Sequence, residues 1–217
     1  FCLDRAGIAG EDGPTHHGAL DIAYLKCIQD LIVSSPRNGN ELRNLLYTAL
    51  EYKDGPFAIR YPKASSEEFD QNLQAELLPI GSWEVLQNGN DVAILAVGPL
   101  TYLALEAAEE LKKLDISCEV VNCRFIKPMD ENYLEFMLEK FSSVLTIEEG
   151  VRSGGFGEGV LSWLSSNNYK GNSSIISLPD KFVEHGPRGL LLEKWGINKE
   201  EIIKTVTSFK SSLKTEF

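Results

Sequence analysis

The second half of the chain alternates short apolar runs with longer segments of helical period, and this alternation is the strongest constraint on the fold. The predicted strands are 118–122, 143–147 and 174–178, and the predicted helices are 99–114, 130–141, 156–166 and 198–213. A strand that is followed by a helix and a further strand usually pairs in parallel through a right-handed crossover. The pattern therefore predicts the α/β class, with a mostly parallel sheet wrapped by helices.

A hairpin is predicted just before this region. Residues 80–86 and 92–97 are apolar runs that flank Asn88-Gly89-Asn90. Asn-Gly pairs favour the tight turns that join adjacent antiparallel strands. We therefore expect these two strands to pair with each other.

The first part of the chain shows the same alternation on a smaller scale. The predicted strands are 1–3, 31–35 and 57–61, and the predicted helices are 18–28 and a segment that starts at Asn38 or Asn40 and ends before residue 54. Residues 65–78 are polar and lack a sustained apolar period. They are predicted to link a first domain, residues 1–64, to a second domain, residues 79–217.

The charge balance argues against two classes of partner. The chain has 21 Lys and Arg against 32 Asp and Glu, a formal net charge of -11, and no basic run. A nucleic acid or an anionic membrane surface is therefore not expected as the main partner. No stretch approaches 18 apolar residues, and no signal peptide is evident, so we expect a soluble intracellular protein.

The cysteines and the first residue give two further expectations. Four cysteines without CxxC spacing and three histidines indicate neither a zinc site nor a disulfide framework, so buried free thiols in a reducing compartment are expected. The chain starts at Phe1 within an apolar run. It is therefore interpreted as a fragment of a longer protein.

A glycine-rich loop after the first strand, residues 4–18, is the best candidate site. Arg5, Asp12 and His16 supply a cation, a carboxylate and an imidazole within twelve residues, and the glycines allow a ligand to approach the backbone closely. In open α/β sheets, ligands bind where loops leave the carboxyl ends of strands. A solvated turn whose charges face water is the alternative.

Arg60 lies near the end of the third predicted strand of the first domain, residues 57–61. If the strands are parallel, Arg5 and Arg60 emerge at the same edge of the sheet, where they can converge on one anion. A guanidinium binds a phosphate group through two parallel charge-assisted hydrogen bonds. The pair predicts a phosphorylated substrate, and a surface charge at a strand end is the alternative for Arg60.

The glycines of residues 154–159 do not predict a dinucleotide site. GGFGEG departs from GxGxxG, and Glu148 and Glu149 at the preceding strand end would repel a pyrophosphate. A tight turn and close helix packing are predicted instead.

Four segments carry a resemblance to a known family. They are DRAGIAGEDGPTHHGALDIAYL, GPFAIRYP, VVNCRFIKPMDE and LTIEEGVRSGGFGEGV. Together they resemble the 1-deoxy-D-xylulose-5-phosphate synthase family of the transketolase-like thiamine diphosphate enzymes, over essentially the whole chain. The first segment is specific to these synthases, and the last two are shared more loosely with beta subunits of 2-oxo-acid dehydrogenases. The resemblance implies the end of a pyrimidine-binding domain followed by a transketolase C-terminal domain.

The resemblance also implies a reaction and residue roles. The family joins pyruvate to D-glyceraldehyde 3-phosphate with loss of carbon dioxide, for isoprenoid, thiamine and pyridoxal phosphate synthesis. By resemblance, Arg5 and Arg60 hold the phosphate of the acceptor. By the same resemblance, Asp12 and His16 contact the acceptor and the thiamine-bound intermediate. Near the new alcohol oxygen, His16 is expected to deliver or remove a proton, and Asp12 to orient that imidazole or a substrate hydroxyl.

Cofactors and partners follow from the same resemblance. Thiamine diphosphate and Mg²⁺ are expected to be bound mainly by parts of the enzyme outside this chain, so the isolated chain is predicted to be inactive. A homodimer, the N-terminal portion of the same polypeptide, and a bacterial cytoplasm or plastid stroma are implied. The alternatives are a fragment of a dehydrogenase beta subunit or a transketolase, and a noncatalytic dimerisation module over residues 79–217. His17 and His185 are given no role.

Overall fold

Two sheets with covering helices make up the computed structural model, which describes residues 1–66 and 68–213. The strands are β1 Cys2–Leu3, β2 Ile32–Ser34, β3 Phe57–Arg60, β4 Glu84–Gln87, β5 Val92–Ala96, β6 Cys118–Asn122, β7 Phe125–Lys127, β8 Ser143–Val151 and β9 Asn172–Leu178. The helices are α1 Asp21–Lys26, α2 Gly39–Glu51, α3 Leu100–Lys112, α4 Glu131–Lys140, α5 Phe156–Ser166, α6 Arg188–Lys194 and α7 Lys199–Leu213. The predicted α/β class with mostly parallel sheets is confirmed.

The first sheet has the strand order β1-β3-β2-β7. Strands β1, β3 and β2 are parallel, and β7 joins the edge antiparallel to β2. Strand β7 comes from the part of the chain that was predicted to form the second domain. Strand β7 was not predicted, because it forms by pairing with β2, which lies far earlier in the chain. The two predicted domains therefore share a sheet.

The second sheet has the order β4-β6-β5-β8-β9, and all its neighbours are parallel except β4 with β6. The predicted hairpin is wrong, because β6 lies between β4 and β5. The amides of Asn90 and Asp91 donate to the Ser117 carbonyl over 3.1 and 2.8 Å. A Cβ on Gly89 would lie 2.1 Å from the Cys118 backbone. The Asn-Gly-Asn segment thus carries the chain across the start of β6 instead of reversing it.

Three apolar cores hold the sheets and helices together. One lies between the second sheet and helices α3 and α7. Another covers the opposite face and includes Ile22 of α1, Val33 of β2 and Ala58 of β3 beside residues of the second sheet. The third packs Leu45 of α2 against the first sheet and includes Phe125 of β7. The first core also contains Ile8 of the glycine-rich segment, so all three cores join residues from both predicted domains.

The expectation of buried thiols holds for two of the four cysteines. Cys118 and Cys123 are buried, whereas Cys2 and Cys27 are exposed. Cys2 lies on the edge strand β1, and Cys27 directly follows α1, so neither is covered by a second layer.

The predicted linker runs along helix α2 and is held there by hydrogen bonds. Residues 68–78, here called the strap, form neither helix nor strand. Side chains at every fourth residue of α2 accept hydrogen bonds from strap amides, and such residues share one helix face. The pairs are Asn40 with Asp70 (2.9 Å), Asn44 with Glu76 (3.1 Å) and Thr48 with Leu78 (2.9 Å). The strap therefore has a defined path.

Replacing Thr48 by valine should weaken the fold, because its hydroxyl accepts from the Leu78 amide of the strap and also donates to the Asn44 carbonyl over 2.8 Å within α2. Valine keeps the shape of this buried side chain but leaves the Leu78 amide without its acceptor. We expect the free energy of unfolding to fall by about 1–2 kcal/mol in a urea titration. Thr205→Val, at a half-buried site of α7, is the matched control. Equal values for the two variants would show that the strap contact contributes no stability.

No helix among the described residues is long and apolar enough to cross a membrane.

Candidate functional site

The glycine-rich loop leaves the carboxyl end of β1, as predicted. Its two ends are closed by backbone hydrogen bonds, in which the Gly18 amide donates to the Arg5 carbonyl over 2.9 Å and the Gly7 amide donates to the Gly18 carbonyl over 3.0 Å. Arg5 has a φ of 60°, in the left-handed region that L residues rarely adopt. Residues Gly10–Asp12 form one 3-10 turn at the far end of the loop. The loop is thus closed at its base by backbone hydrogen bonds and has a defined conformation.

Asp12 lies between two cations. Its Oδ2 accepts from Nε of Arg5 and its Oδ1 accepts from Nζ of Lys63, both over 2.7 Å. Hydrogen bonds from Lys63 and then Arg5 lower the pKa of Asp12 to about 2. The Arg5 and Lys63 side chains remain 35% and 52% exposed. We call these three residues the Asp12 cluster. Its two cations remain accessible to an anionic ligand.

Lys63 was not predicted as a site residue. It lies three residues beyond the end of β3, the strand that pairs with β1. A cation at that position reaches the same sheet edge as the loop after β1. The position of Lys63 just after a predicted strand therefore indicated a site residue, but the prediction assigned that role to Arg60, at the end of the strand.

Arg60 is enclosed, contrary to the expectation that it faces an anion at the sheet edge. Its side chain is 3% exposed. Nε donates to Oδ2 of Asp21 over 2.8 Å, and Nη2 donates to the carbonyls of Glu149 and Gly18 over 3.1 and 3.4 Å. The carboxyl end of β8 covers the end of β3, and no pattern within the first 64 residues reveals this. The structure therefore does not bring Arg60 and Arg5 together as two open guanidinium groups.

The His16 side chain is exposed. Its amide donates to the Gly13 carbonyl over 3.0 Å, and its Nδ1 lies 2.9 Å from Oγ1 of Thr15. Among the described residues, Nε2 has no hydrogen-bond partner. The loop therefore presents one ring nitrogen of His16 to solvent, four residues after Asp12.

Glu149 of β8 supports the underside of the loop. Its Oε2 accepts from the Ile8 amide over 3.0 Å, and its Oε1 accepts from Nη2 of Arg188. Burial raises the pKa of Glu149, and Arg188 and the Ile8 amide oppose that rise. A Cβ on Gly7 would lie 2.4 Å from Oε2 of Glu149, so this glycine allows the close approach. The second sheet thus fixes the conformation of the loop.

The glycines that follow β8 surround a carboxylate of the chain itself. Oε2 and Oε1 of Glu148 accept from the amides of Phe156 and Gly157 over 2.9 and 2.8 Å. These amides begin α5, where a pyrophosphate would otherwise bind. A Cβ on Gly155 would lie 2.7 Å from Oε1 of Glu148. The structure agrees with the prediction of a tight turn instead of a dinucleotide site.

Replacing Lys63 by methionine should raise the pKa of Asp12 from about 2 toward its ordinary value of 3.8, because the largest cause of the depression is removed. The change can be followed by carbon NMR of the carboxyl group. Since the folded pKa lies below the unfolded one, the cluster stabilises the fold above about pH 4, and this contribution is lost as the pH falls through 2.

Lys112→Met, at an exposed position of α3, provides the control and should leave the Asp12 titration unchanged. An Asp12 pKa near 2 in the Lys63→Met protein would contradict the ion pair.

Comparisons with family models match both parts of the chain. The model "Transketolase, pyrimidine binding domain" matches residues 1–67, and the model "Transketolase, C-terminal domain" matches residues 81–202. These matches agree with the parts that the resemblance implied. A solved structure titled "Split gene transketolase, inactive beta4 tetramer" superposes with a TM-score of 0.81 at 29% identity, over 95% of this chain and 64% of that chain.

Curated relatives show a group of transketolase-like proteins to which the chain is similar. The chain is 44% identical over 209 residues to 1-deoxy-D-xylulose-5-phosphate synthase of Geobacillus sp. (strain WCH70), and 42% identical over 207 residues to that of Cytophaga hutchinsonii. These alignments cover 95% of this chain but 33% and 32% of the relatives. The chain thus spans about a third of their length, and the resemblance to the synthases is confirmed. From the model that matches residues 81–202, we conclude that the chain belongs to the transketolase C-terminal domain family, and it carries pyrimidine-binding domain sequence ahead of that domain.

Proposed function

We propose that the complete gene product containing this chain is a 1-deoxy-D-xylulose-5-phosphate synthase, which condenses pyruvate with D-glyceraldehyde 3-phosphate and releases carbon dioxide. The observation that carries this proposal is the Asp12 cluster, where two accessible cations share the carboxylate of Asp12 at the loop after β1, and Arg5 also pairs with the exposed carboxylate of Asp4. Such a cluster suits a small phosphorylated acceptor, since charge-assisted hydrogen bonds from Arg and Lys are the strong contacts to phosphate. Relatives of this name at 42–44% identity support it.

Arg5 and Lys63 bind the phosphate group in this proposal. The resemblance implies Arg60 for the second contact, but its side chain is 3% exposed and already has three acceptors within the protein. Lys63 is exposed and shares Asp12 with Arg5. Arg60 instead fixes the frame of the site through Asp21 and the carbonyls at the loop end and the β8 end.

Asp12 and His16 act next to the phosphate site. Asp12 holds both cations at 2.7 Å and orients them toward the acceptor. His16 has one ring nitrogen without a partner among the described residues and transfers the proton at the carbonyl oxygen of the acceptor as that oxygen becomes an alcohol. A histidine suits this step, because its ordinary pKa lies close to neutral.

Thiamine diphosphate supplies the carbanion chemistry when it is bound to the complete protein. In residues 1–66 and 68–213, no three His, Cys, Asp or Glu side chains form a group that could hold a metal ion. Thiamine diphosphate and Mg²⁺ are bound mainly by parts of the protein outside this chain in this proposal, which is supported by relatives about three times as long as the chain.

The N-terminal portion of the same polypeptide is the main partner that we propose, because the relatives are about three times as long as this chain. Without it the chain should be inactive. We also propose a homodimer, which is supported by the exposed apolar side chains of Leu20, Tyr24 and Phe182 around the loop. A bacterial cytoplasm or a plastid stroma is the proposed compartment.

The noncatalytic module is the less favoured function. Glu149 and Arg188 belong to the part that the C-terminal domain model matches, and together they hold the loop through the Ile8 amide. That domain therefore does more than mediate assembly.

A test with different acceptors separates the enzyme classes. The complete gene product would be incubated with pyruvate, thiamine diphosphate and Mg²⁺, and offered D-glyceraldehyde 3-phosphate, ribose 5-phosphate or lipoamide separately. We expect deoxyxylulose phosphate from the first acceptor and no product from the others. Product with ribose 5-phosphate or lipoamide alone would overturn the proposed substrate.

Substitutions in the Asp12 cluster test the phosphate contact. Arg5→Ala or Lys63→Met should raise the KM for D-glyceraldehyde 3-phosphate about thirtyfold, since one charge-assisted contact contributes about 2 kcal/mol. The KM for pyruvate and the kcat/KM for unphosphorylated D-glyceraldehyde should stay unchanged, as should all constants in the Lys112→Met control. Equal losses with the phosphorylated and unphosphorylated aldehydes would contradict phosphate binding by the cluster.

A further inference from the structure

His17 joins the glycine-rich loop to the second half of the chain. The Ala9 amide donates to Nδ1 of His17 over 2.9 Å. On the other side of the ring, Nε2 lies 3.1 Å from the carbonyl oxygen of Glu184, in the segment between β9 and α6. One side chain thus bridges two segments that are 175 residues apart in sequence (from residue 9 to residue 184).

The two partners determine the state of the ring. A backbone amide only donates and a backbone carbonyl only accepts, so Nδ1 must be an acceptor and Nε2 must carry the proton. His17 is therefore neutral in this arrangement, with both nitrogens engaged. It differs in this respect from its neighbour His16, whose Nε2 has no partner among the described residues.

The bridge lies where the loop carries its functional residues. Ala9 directly precedes the 3-10 turn that ends at Asp12. The neighbouring residues are held from the same side, because the Ile8 amide donates to Glu149 and the Gly186 amide donates to the Gly10 carbonyl over 3.4 Å. Consecutive residues of the loop are thus fastened to the C-terminal half immediately before the turn.

We propose that His17 is a positioning residue, which fixes the position of the Asp12 cluster by bonding the Ala9 amide and the Glu184 carbonyl through its Nε2-protonated ring. We call these two hydrogen bonds of His17 the clip. The link to catalysis rests on the proposed function, whereas the clip itself does not. The role needs one planar group that accepts through one atom and donates through another. Besides a neutral imidazole, the amide of glutamine meets that requirement.

Two variants of the complete gene product separate the clip from simple packing. His17→Phe keeps the ring but removes both hydrogen bonds, whereas His17→Gln keeps an acceptor and a donor. By hydrogen exchange with mass spectrometry, we expect the peptide covering residues 5–18 to exchange at least about tenfold faster in His17→Phe. The rate should stay within about twofold of the parent in His17→Gln. Unchanged exchange in His17→Phe, or equally fast exchange in both variants, would overturn the proposal.

The ring state provides a test that needs no variant. Nitrogen NMR of the histidine-labelled protein should show His17 with a protonated Nε2 and an unprotonated Nδ1. A protonated Nδ1 at neutral pH would overturn the proposal, even if His17→Phe failed to fold.

Kinetics then connect the clip to the reaction. In His17→Phe, kcat/KM for D-glyceraldehyde 3-phosphate should fall about tenfold with the KM for pyruvate unchanged, and His17→Gln should restore it. If the parent protein forms no deoxyxylulose phosphate while the exchange and NMR results are as expected, the proposed function fails and the clip stands. An active parent whose kcat/KM is unaffected in His17→Phe would overturn the positioning role.

Discussion

Replacing Arg60 by methionine is expected to lower the free energy of unfolding by about 3–5 kcal/mol, because the change leaves a buried carboxylate without its partner. Arg60 and Asp21 have side chains that are 3% and 4% exposed and lie 2.8 Å apart. The Glu149 and Gly18 carbonyls would each lose a donor as well. Urea-induced unfolding of this chain, followed by circular dichroism, measures the loss.

Two controls identify the cause. Arg152→Met, at an exposed arginine just after β8, should change the stability by less than about 0.5 kcal/mol. The double variant Arg60→Met with Asp21→Leu should recover part of the loss, because no unpaired charge remains buried. An Arg60→Met protein of parental stability whose only defect is a raised KM for the phosphorylated acceptor would return Arg60 to the phosphate site and contradict the role given to Lys63.

His16→Gln should reduce kcat of the complete gene product by about a hundredfold or more, since general acid–base catalysis contributes about 10²–10⁴. Glutamine keeps a polar group of similar reach but has no group that titrates near neutral pH. The side chain is exposed, so the fold should be as stable as in the parent. Steady-state rates with pyruvate and D-glyceraldehyde 3-phosphate measure the effect.

His185→Gln is the matched control, because His185 is also an exposed histidine in a loop near the same region. It should leave kcat unchanged. If His16→Gln raised only the KM for the acceptor and kept kcat, His16 would bind the substrate without transferring a proton.

The sequence predicted best those helices and strands in which the spacing of apolar residues repeats several times. Helices α3 and α5 and strand β6 fall close to their expected bounds, since each combines an apolar pattern with a clear beginning or end, whereas β8 begins at the expected residue but continues beyond 147 to Val151. Although the similarly short β2 and α1 were predicted, strand β7 and helix α6 were not. Their formation depends on tertiary contacts, such as the packing of Phe125 against Phe57 with ring centroids 6.2 Å apart.

The part of the candidate site that lies within one loop was predicted from the sequence, whereas the contacts that distant residues make with it were not. Arg5, Asp12 and His16 lie on one loop, so their proximity follows from the chain itself. The enclosure of Arg60 depends on β8, about 90 residues later in the sequence, as the 89-residue separation from Glu149 shows. The two roles of adjacent His16 and His17 also differ only through distant partners. Residue type alone does not distinguish a solvent-facing ring from one that bridges two segments.

Because β7 pairs antiparallel with β2, the chain cannot be cut between these two strands without exposing a sheet edge. A protein truncated before residue 125 would retain β2 as an open edge strand, with unpaired amides and carbonyls ready to pair with another molecule. It would also lose Phe125 from the core around Leu45. The position that separates the two family-model matches therefore does not separate two independent sheets. Either piece expressed alone would be prone to aggregation.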